Sequence, residues 1–213
     1  MLQFQHLSIA RGDRVLLRGL SGALAAGQIL HVRGANGTGK TSLLEVLAGL
    51  REAESGTATR SFETDGCHWV GHRNALNETL TPFENLQFWC QLNGEPVEGV
   101  RGALREFELT AVADQPCRTL SAGQKRRAAL ARLAAVHRPL WFLDEPLSAL
   151  DAAGVTHWLA LLRNHQQRGG AAILTSHQAL EGDVRGLRTL DLDSRVRGND
   201  NAGGNDTGGN DAA

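Results

Sequence analysis

The chain opens with two runs in which apolar and polar residues alternate, LQFQHLSIA and RVLLRGLSGALAAG, separated by Arg11-Gly12-Asp13. Alternation of this kind marks half-buried strands, and Gly-Asp between two such runs reads as a turn. QILHVRG follows as an apolar strand that stops at a glycine loop. TSLLEVLAGL then spaces its leucines as a helix does, with a Gly-containing exit around Ser55-Gly56. HWVGH is a further short strand. From about 81 to 136 the pattern is helical, entered through Thr81 as N-cap, Pro82 at the first helical position and Glu84 in the first turn. PLWFLDE, AAILTS and RTLDLD return to buried-strand character, with a helix at about 155–167 between the first two. Strand–loop–helix alternation with continuously apolar strands predicts an α/β fold, a mainly parallel sheet covered by helices.

The last residues behave differently. RGNDNAGGNDTGGNDAA repeats Gly-Asn-Asp and has no apolar residue beyond alanine, so it cannot contribute to a core. Residues 194–213 are therefore expected to be a disordered tail following a domain at 1–193.

Charge narrows the function classes. Lys plus Arg number 22 against 23 Asp plus Glu, a net charge of -1, so no general affinity for nucleic acid is expected. No apolar run reaches the roughly 20 residues that span a bilayer, and the start lacks the pattern of a signal peptide. The expectation is a protein that stays in the cytoplasm and reaches a membrane only by docking to another protein. Cys67, Cys90 and Cys117 are far apart and form no CxxC, which predicts three reduced thiols rather than a metal site or disulfides.

Two stretches carry phosphate chemistry. Gly34, Ala35, Asn36, Gly37, Thr38, Gly39, Lys40 and Thr41, followed by Ser42, fit GxxxxGK[ST] at every position, between a strand and a helix. The glycines let the loop curl so that backbone N–H groups converge on phosphates. Lys40 adds charge at the β- and γ-phosphates, and the Thr41 hydroxyl ligates Mg²⁺. ATP and Mg²⁺ are the cofactors this implies. In LWFLDE an apolar strand ends in two acids; a buried carboxylate there needs a counter-charge, so Asp144 is assigned to the metal. Glu145, one residue on, is placed to polarise the attacking water. His177 follows the strand AAILTS, at the edge where ligands of parallel sheets bind, and is a candidate for sensing the γ-phosphate.

LSAGQKRRAALARL, from Leu120 to Leu133, is written as a second anion-gripping helix start, with Ser121, Gly123 and Gln124 at its head. For one nucleotide a second such start is redundant. It makes sense if two chains pair head-to-tail and each sandwiches ATP between one chain's Lys40 loop and the other's Ser121–Gly123 segment.

With these motifs in hand, the chain resembles the nucleotide-binding subunits of ABC transporters over about residues 2 to 192. LSAGQ is similar to that family's signature, and GANGTGKT, LWFLDEP, Ser148-Ala149-Leu150-Asp151 and TSH fall in its order. The resemblance implies a P-loop, RecA-like core, a small antiparallel β subdomain and an inserted helical subdomain at about 81–136. It also implies that Asp151 lies in a loop communicating across a dimer of ATPase subunits. His72 stands where the family usually has a glutamine that contacts the metal and nucleotide; imidazole can take that place and can also titrate. Arg11 stands where an aromatic usually stacks on adenine, and a guanidinium can stack too. The pair Gly71-His72, LTPFENLQFW, LSAGQKRRAALARL and GGAAILTSHQ together resemble the ATPase subunit of the haem exporter of cytochrome c maturation. That resemblance implies work at the cytoplasmic face of the bacterial inner membrane, with integral membrane partners. Within the helical insertion, the segment at about 83–92 is expected to face that partner. His68 is read as structural.

Other readings are an ATPase subunit serving another small substrate, a soluble ABC ATPase, and a small-molecule kinase. The soluble class needs a long coiled coil or tandem ATPase units, and the chain has neither heptads nor an internal repeat. LSAGQ and Glu145 beside Asp144 argue against the kinase. Removing the residues after Ser194 is expected to leave ATP turnover and the unfolding midpoint unchanged, as measured on the shortened and full chains side by side; a loss of either would give the tail a role.

Overall fold

The structure, a computed structural model, describes residues 1–61, 66–180 and 184–193. The tail at 194–213 lies outside them. Strands β1 (Leu2–Arg11) and β2 (Arg14–Leu24) form a hairpin, followed by β3 (Ile29–Arg33) and helix α1 (Lys40–Ala48). Next come β4 (Ser55–Arg60), β5 (Cys67–Val70) and a helical stretch of α2 (Pro82–Leu92), α3 (Val100–Glu106), α4 (Ala122–Leu130) and α5 (Arg132–Ala135). The chain returns through β6 (Leu140–Leu143), α6 (Ala152–Gln167), β7 (Ala171–Thr175) and β8 (Arg188–Asp191).

Two sheets result. β2-β1-β4 is antiparallel, and β5-β6-β7-β3-β8 is parallel. The three central parallel strands are buried along both faces, as their apolar runs require. Their side chains alternate between two cores. Leu140, Phe142 and Ile173 join α1 and the antiparallel sheet on one side, whereas Trp141, Leu143 and Leu174 join α6 and the helical insertion on the other.

Three expectations shift. Ser55-Gly56 is the start of strand β4, not a helix exit. Gly56 has φ +87°, and a Cβ there would overlap the His6 carbonyl, because β1 bulges where His6 takes φ +51°. RTLDLD supplies an edge strand whose Arg188 and Thr189 are exposed, so it is not buried on both faces. Helix α6 begins at Ala152 rather than 155, because the Asp151 side chain accepts from Gly154 N (2.8 Å) and caps it. At the entry to α2, Thr81 and Glu84 form a reciprocal capping box with Pro82 at the first position. Cys90 and Cys117 are buried thiols, pushed up by desolvation, and Cys67 is a half-buried thiol.

His68 and His165 anchor the end of the sheet opposite the glycine loop. His68 Nε2 meets Val136 O at 2.7 Å, and His165 stacks on Trp141 with ring centroids 3.6 Å apart. Burial pushes both down from 6.5 to about 4, against the raising effect of their bonds to the Val136 and Ala171 carbonyls. Both are neutral when folded. The unfolded chain binds more protons below its own histidine pKa, so their contribution is complete above about 6.5 and is lost as pH falls towards 4. Urea unfolding is expected to show a midpoint that is flat above about pH 7 and falls between about 6.5 and 5, above the range of ordinary carboxylates. A midpoint constant across that interval would contradict the neutral assignments.

Candidate functional site

The parallel sheet delivers four connections to one edge: the glycine loop after β3, Gly71-His72 after β5, Asp144-Glu145 after β6 and Ser176-His177 after β7. They enclose a cavity of about 600 Å³. Arg11, Asn36, Gly37, Gly39, Lys40, Thr41, Ser42, His72, Asp144, Glu145 and His177 line it. Gly34, Ala35 and Thr38 form the base of the loop, where Thr38 Oγ1 donates to Ala35 O at 2.9 Å. The loop turns at Gly34 (φ +150°), Gly37 (+81°) and Gly39 (+99°), which glycine adopts without steric cost. Gly39 leads directly into α1, so the N-terminus of that helix opens on the loop. Lys40 is buried, and its ammonium donates to Gly34 O (2.7 Å) and Ala35 O (3.1 Å).

Asp144 is 3% exposed at the end of β6. Its Oδ2 accepts from Thr41 Oγ1 (2.9 Å) and its Oδ1 from Thr175 Oγ1 (2.8 Å), while Glu145 N donates to the same Thr175 hydroxyl at 2.8 Å. Glu145 has φ +50°, a strained value for a residue with a side chain. Its Oε1 is buried without a hydrogen bond and lies 3.5 Å from His177 Nε2. The carboxylate of this cavity-lining residue therefore keeps acceptor capacity unused within the protein. The hydroxyl and carboxylate oxygens of Thr41 and Asp144 are the hard donors that Mg²⁺ takes when phosphate oxygens and waters complete its shell, so the residues fit that ion. His72 is exposed on another part of the wall.

Ser121, Gly123, Gln124 and Asp151 do not line this cavity. Ser121 and Gln124 cap α4 reciprocally, at 2.9 and 3.2 Å. A Cβ on Gly123 would stand 2.8 Å from Ala149 O, so the head of α4 packs on the connection that carries Asp151.

Several residues escaped the sequence reading. Arg14 and Leu16 also line the cavity, and Arg14 pairs with Arg11 across the Gly12-Asp13 turn. Asp193 accepts from Ala35 N with both carboxylate oxygens, at 3.0 and 3.1 Å. Thr175 and Arg126 bind the Asp144-Glu145 segment from behind. The final polar residue of an otherwise apolar strand was the available signal for Thr175.

A glycine loop opening a helix, facing a strand-end acid pair across a parallel sheet, defines a P-loop nucleotide-binding domain. The ABC transporter family model matches residues 7–148. The cytochrome c biogenesis ATP-binding export protein CcmA of Dechloromonas aromatica (strain RCB) is 44% identical, over 88% of this chain and 99% of that protein. Its counterpart in Vibrio cholerae serotype O1 is 39% identical, over 90% and 98%. A putative ABC transporter ATP-binding protein from Pyrococcus furiosus superposes with TM-score 0.79 at 21% identity, over 91% of this chain and 98% of that one. A dimeric ATP-binding cassette in a post-hydrolysis state with ADP and Pi superposes with TM-score 0.78 at 19% identity, over 90% and 95%. The chain belongs to the ABC transporter family and, within it, to the group of CcmA export proteins.

Thr175→Val keeps the shape of the buried side chain and removes the hydroxyl shared by Asp144 and Glu145. Turnover of Mg-ATP is expected to fall about tenfold, the worth of one buried hydrogen bond to a charged group, with the fold intact by circular dichroism. Unchanged turnover would remove Thr175 from the site.

Proposed function

We propose that this chain is the ATP-hydrolysing subunit of an ABC transporter that couples hydrolysis to haem export or haem-chaperone release in cytochrome c biogenesis. The observation that carries the ATPase reading is the convergence of Lys40, Thr41, Asp144, Glu145 and His177 on one cavity. The process is supported by the likeness to CcmA proteins over about nine-tenths of the chain.

In this reading the triphosphate takes the Lys40 ammonium away from the Gly34 and Ala35 carbonyls and seats on the loop N–H groups and the α1 N-terminus. Thr41 and Asp144 hold Mg²⁺, which neutralises phosphate charge when bound. The Glu145 carboxylate accepts from the attacking water and serves as general base. His177 senses the γ-phosphate from its place beside Glu145. Arg11 meets the base, and His72 reports the state of the site to the helical insertion. The N-termini of α4 and α6, with Ser121, Gly123, Gln124 and Asp151, act on the nucleotide of a second subunit, so two chains enclose ATP between them. The dimeric neighbour with ADP and Pi supports that arrangement.

The chain works at the cytoplasmic face of the bacterial inner membrane, bound to integral membrane subunits. Among the described residues no helix is long and apolar enough to cross a membrane. Phe88 and Leu92, 61% and 67% exposed and one turn apart on α2, support the helical insertion as the face that meets the membrane subunit.

The experiment is a haem stain for periplasmic c-type cytochromes in cells whose sole copy is either this chain or its Lys40→Ala variant. The expected result is loss of c-type cytochromes in the variant, with b-type haemoproteins intact. An unchanged stain would overturn the haem reading and leave the ATPase to be matched to another cargo.

A further inference from the structure

Arg126 lies on α4, one turn beyond the Ser121–Gly123 segment, and is 1% exposed. A guanidinium has five N–H groups, and here each one meets an acceptor. Nε donates to Pro146 O at 3.2 Å. Nη1 donates to Gly71 O at 2.9 Å and Asn74 Oδ1 at 3.2 Å. Nη2 donates to Asp144 O at 3.0 Å and Glu145 O at 2.8 Å. Four of the five acceptors are main-chain carbonyls, so the side chain fixes backbone path in two connections at once. One carries Glu145 and the other carries His72.

Burial without a carboxylate hydrogen bond is an unfavourable setting for a cation. Desolvation pushes the guanidinium down to about 10, against the opposing pull of Asp144 and Glu145, so it stays charged at neutral pH. An apolar side chain would fill the same volume without that penalty, but it could not span five acceptors. The Glu145 peptide is the most demanding of them. With φ +50°, Glu145 is in a strained left-handed turn that is held from both sides: its N–H by Thr175 and its carbonyl by Arg126. That turn aims the carboxylate at the cavity, 3.5 Å from His177.

We propose that Arg126 is a positioning residue that ties the seating of helix α4 to the placement of the Glu145 carboxylate and of the His72 connection. Seating α4 holds Glu145 in its left-handed turn and permits water attack; shifting α4 draws the guanidinium away and lets the turn relax. The inference rests on the ATPase reading.

The test uses the full chain carrying Arg126→Lys, Arg126→Gln or Arg126→Met. Steady-state hydrolysis gives kcat and KM, titration with a fluorescent ATP analogue gives Kd, and circular dichroism checks the fold. The expected result is a kcat lowered about tenfold or more with Kd within about threefold of wild type. Lys should fail to rescue, because a point charge cannot reach five acceptors. Folded variants with wild-type kcat would overturn the proposal, as would equal loss of binding and turnover, which is what a merely structural residue produces. If none of the three folds, Asn74→Ala carries the test: a roughly threefold lower kcat at unchanged Kd is expected, and no change overturns it. A wild-type chain that never hydrolyses ATP, alone or with its membrane subunits, overturns the ATPase reading and this inference together; failure in the variants alone overturns only the inference.

Discussion

Asp144 is a carboxylate held almost out of water at the open edge of the sheet, and its two oxygens are the point from which the site is laid out. One oxygen takes the hydroxyl of Thr41, on the first turn of α1; the other takes that of Thr175, at the end of β7. A buried charge tolerates little displacement of its partners. The ends of β6 and β7 and the start of α1 are therefore held at hydrogen-bond distance from one carboxylate. The Thr175 hydroxyl passes the constraint on to the Glu145 amide. Glu145, the proposed general base, is thus located by the same bonds that locate Asp144.

That placement needs a sheet that does not move, and the two cores provide it. Apolar residues alternate to both faces of β6 and β7, so the strands are clamped between α1 with the antiparallel sheet and α6 with the helical insertion. Lys40, Thr41, Asp144, Glu145 and His177 sit where the parallel strands run out, and the histidines His68 and His165 sit at the other end, neutral and hydrogen-bonded to carbonyls.

What could be read from the sequence follows from locality. The glycine loop, the acid pair and the signature are contiguous, so their chemistry is written in neighbouring residues. The bonds of Thr175 and Arg126 span 31, 18 and 55 positions, and no window along the chain contains them. SGTATR escaped as a strand because it carries no apolar alternation; β1 templates it through backbone pairing. Asp151 stands in a motif that the resemblance places between subunits, and its bond to Gly154 N, which caps α6, is a second and purely local role.

The clamp of Asp193 on Ala35 N bears on how the domain is made. β8 pairs with β3 and then delivers this carboxylate to the loop, across 158 positions of chain. A ribosome releases the glycine loop early but Asp193 late. Until those last residues emerge, the first peptide of the loop lacks its partner and β3 lacks one neighbour. The nucleotide cradle of a nascent chain is therefore unfinished until β8 has been made, and it matures only once nearly the whole domain is available to fold.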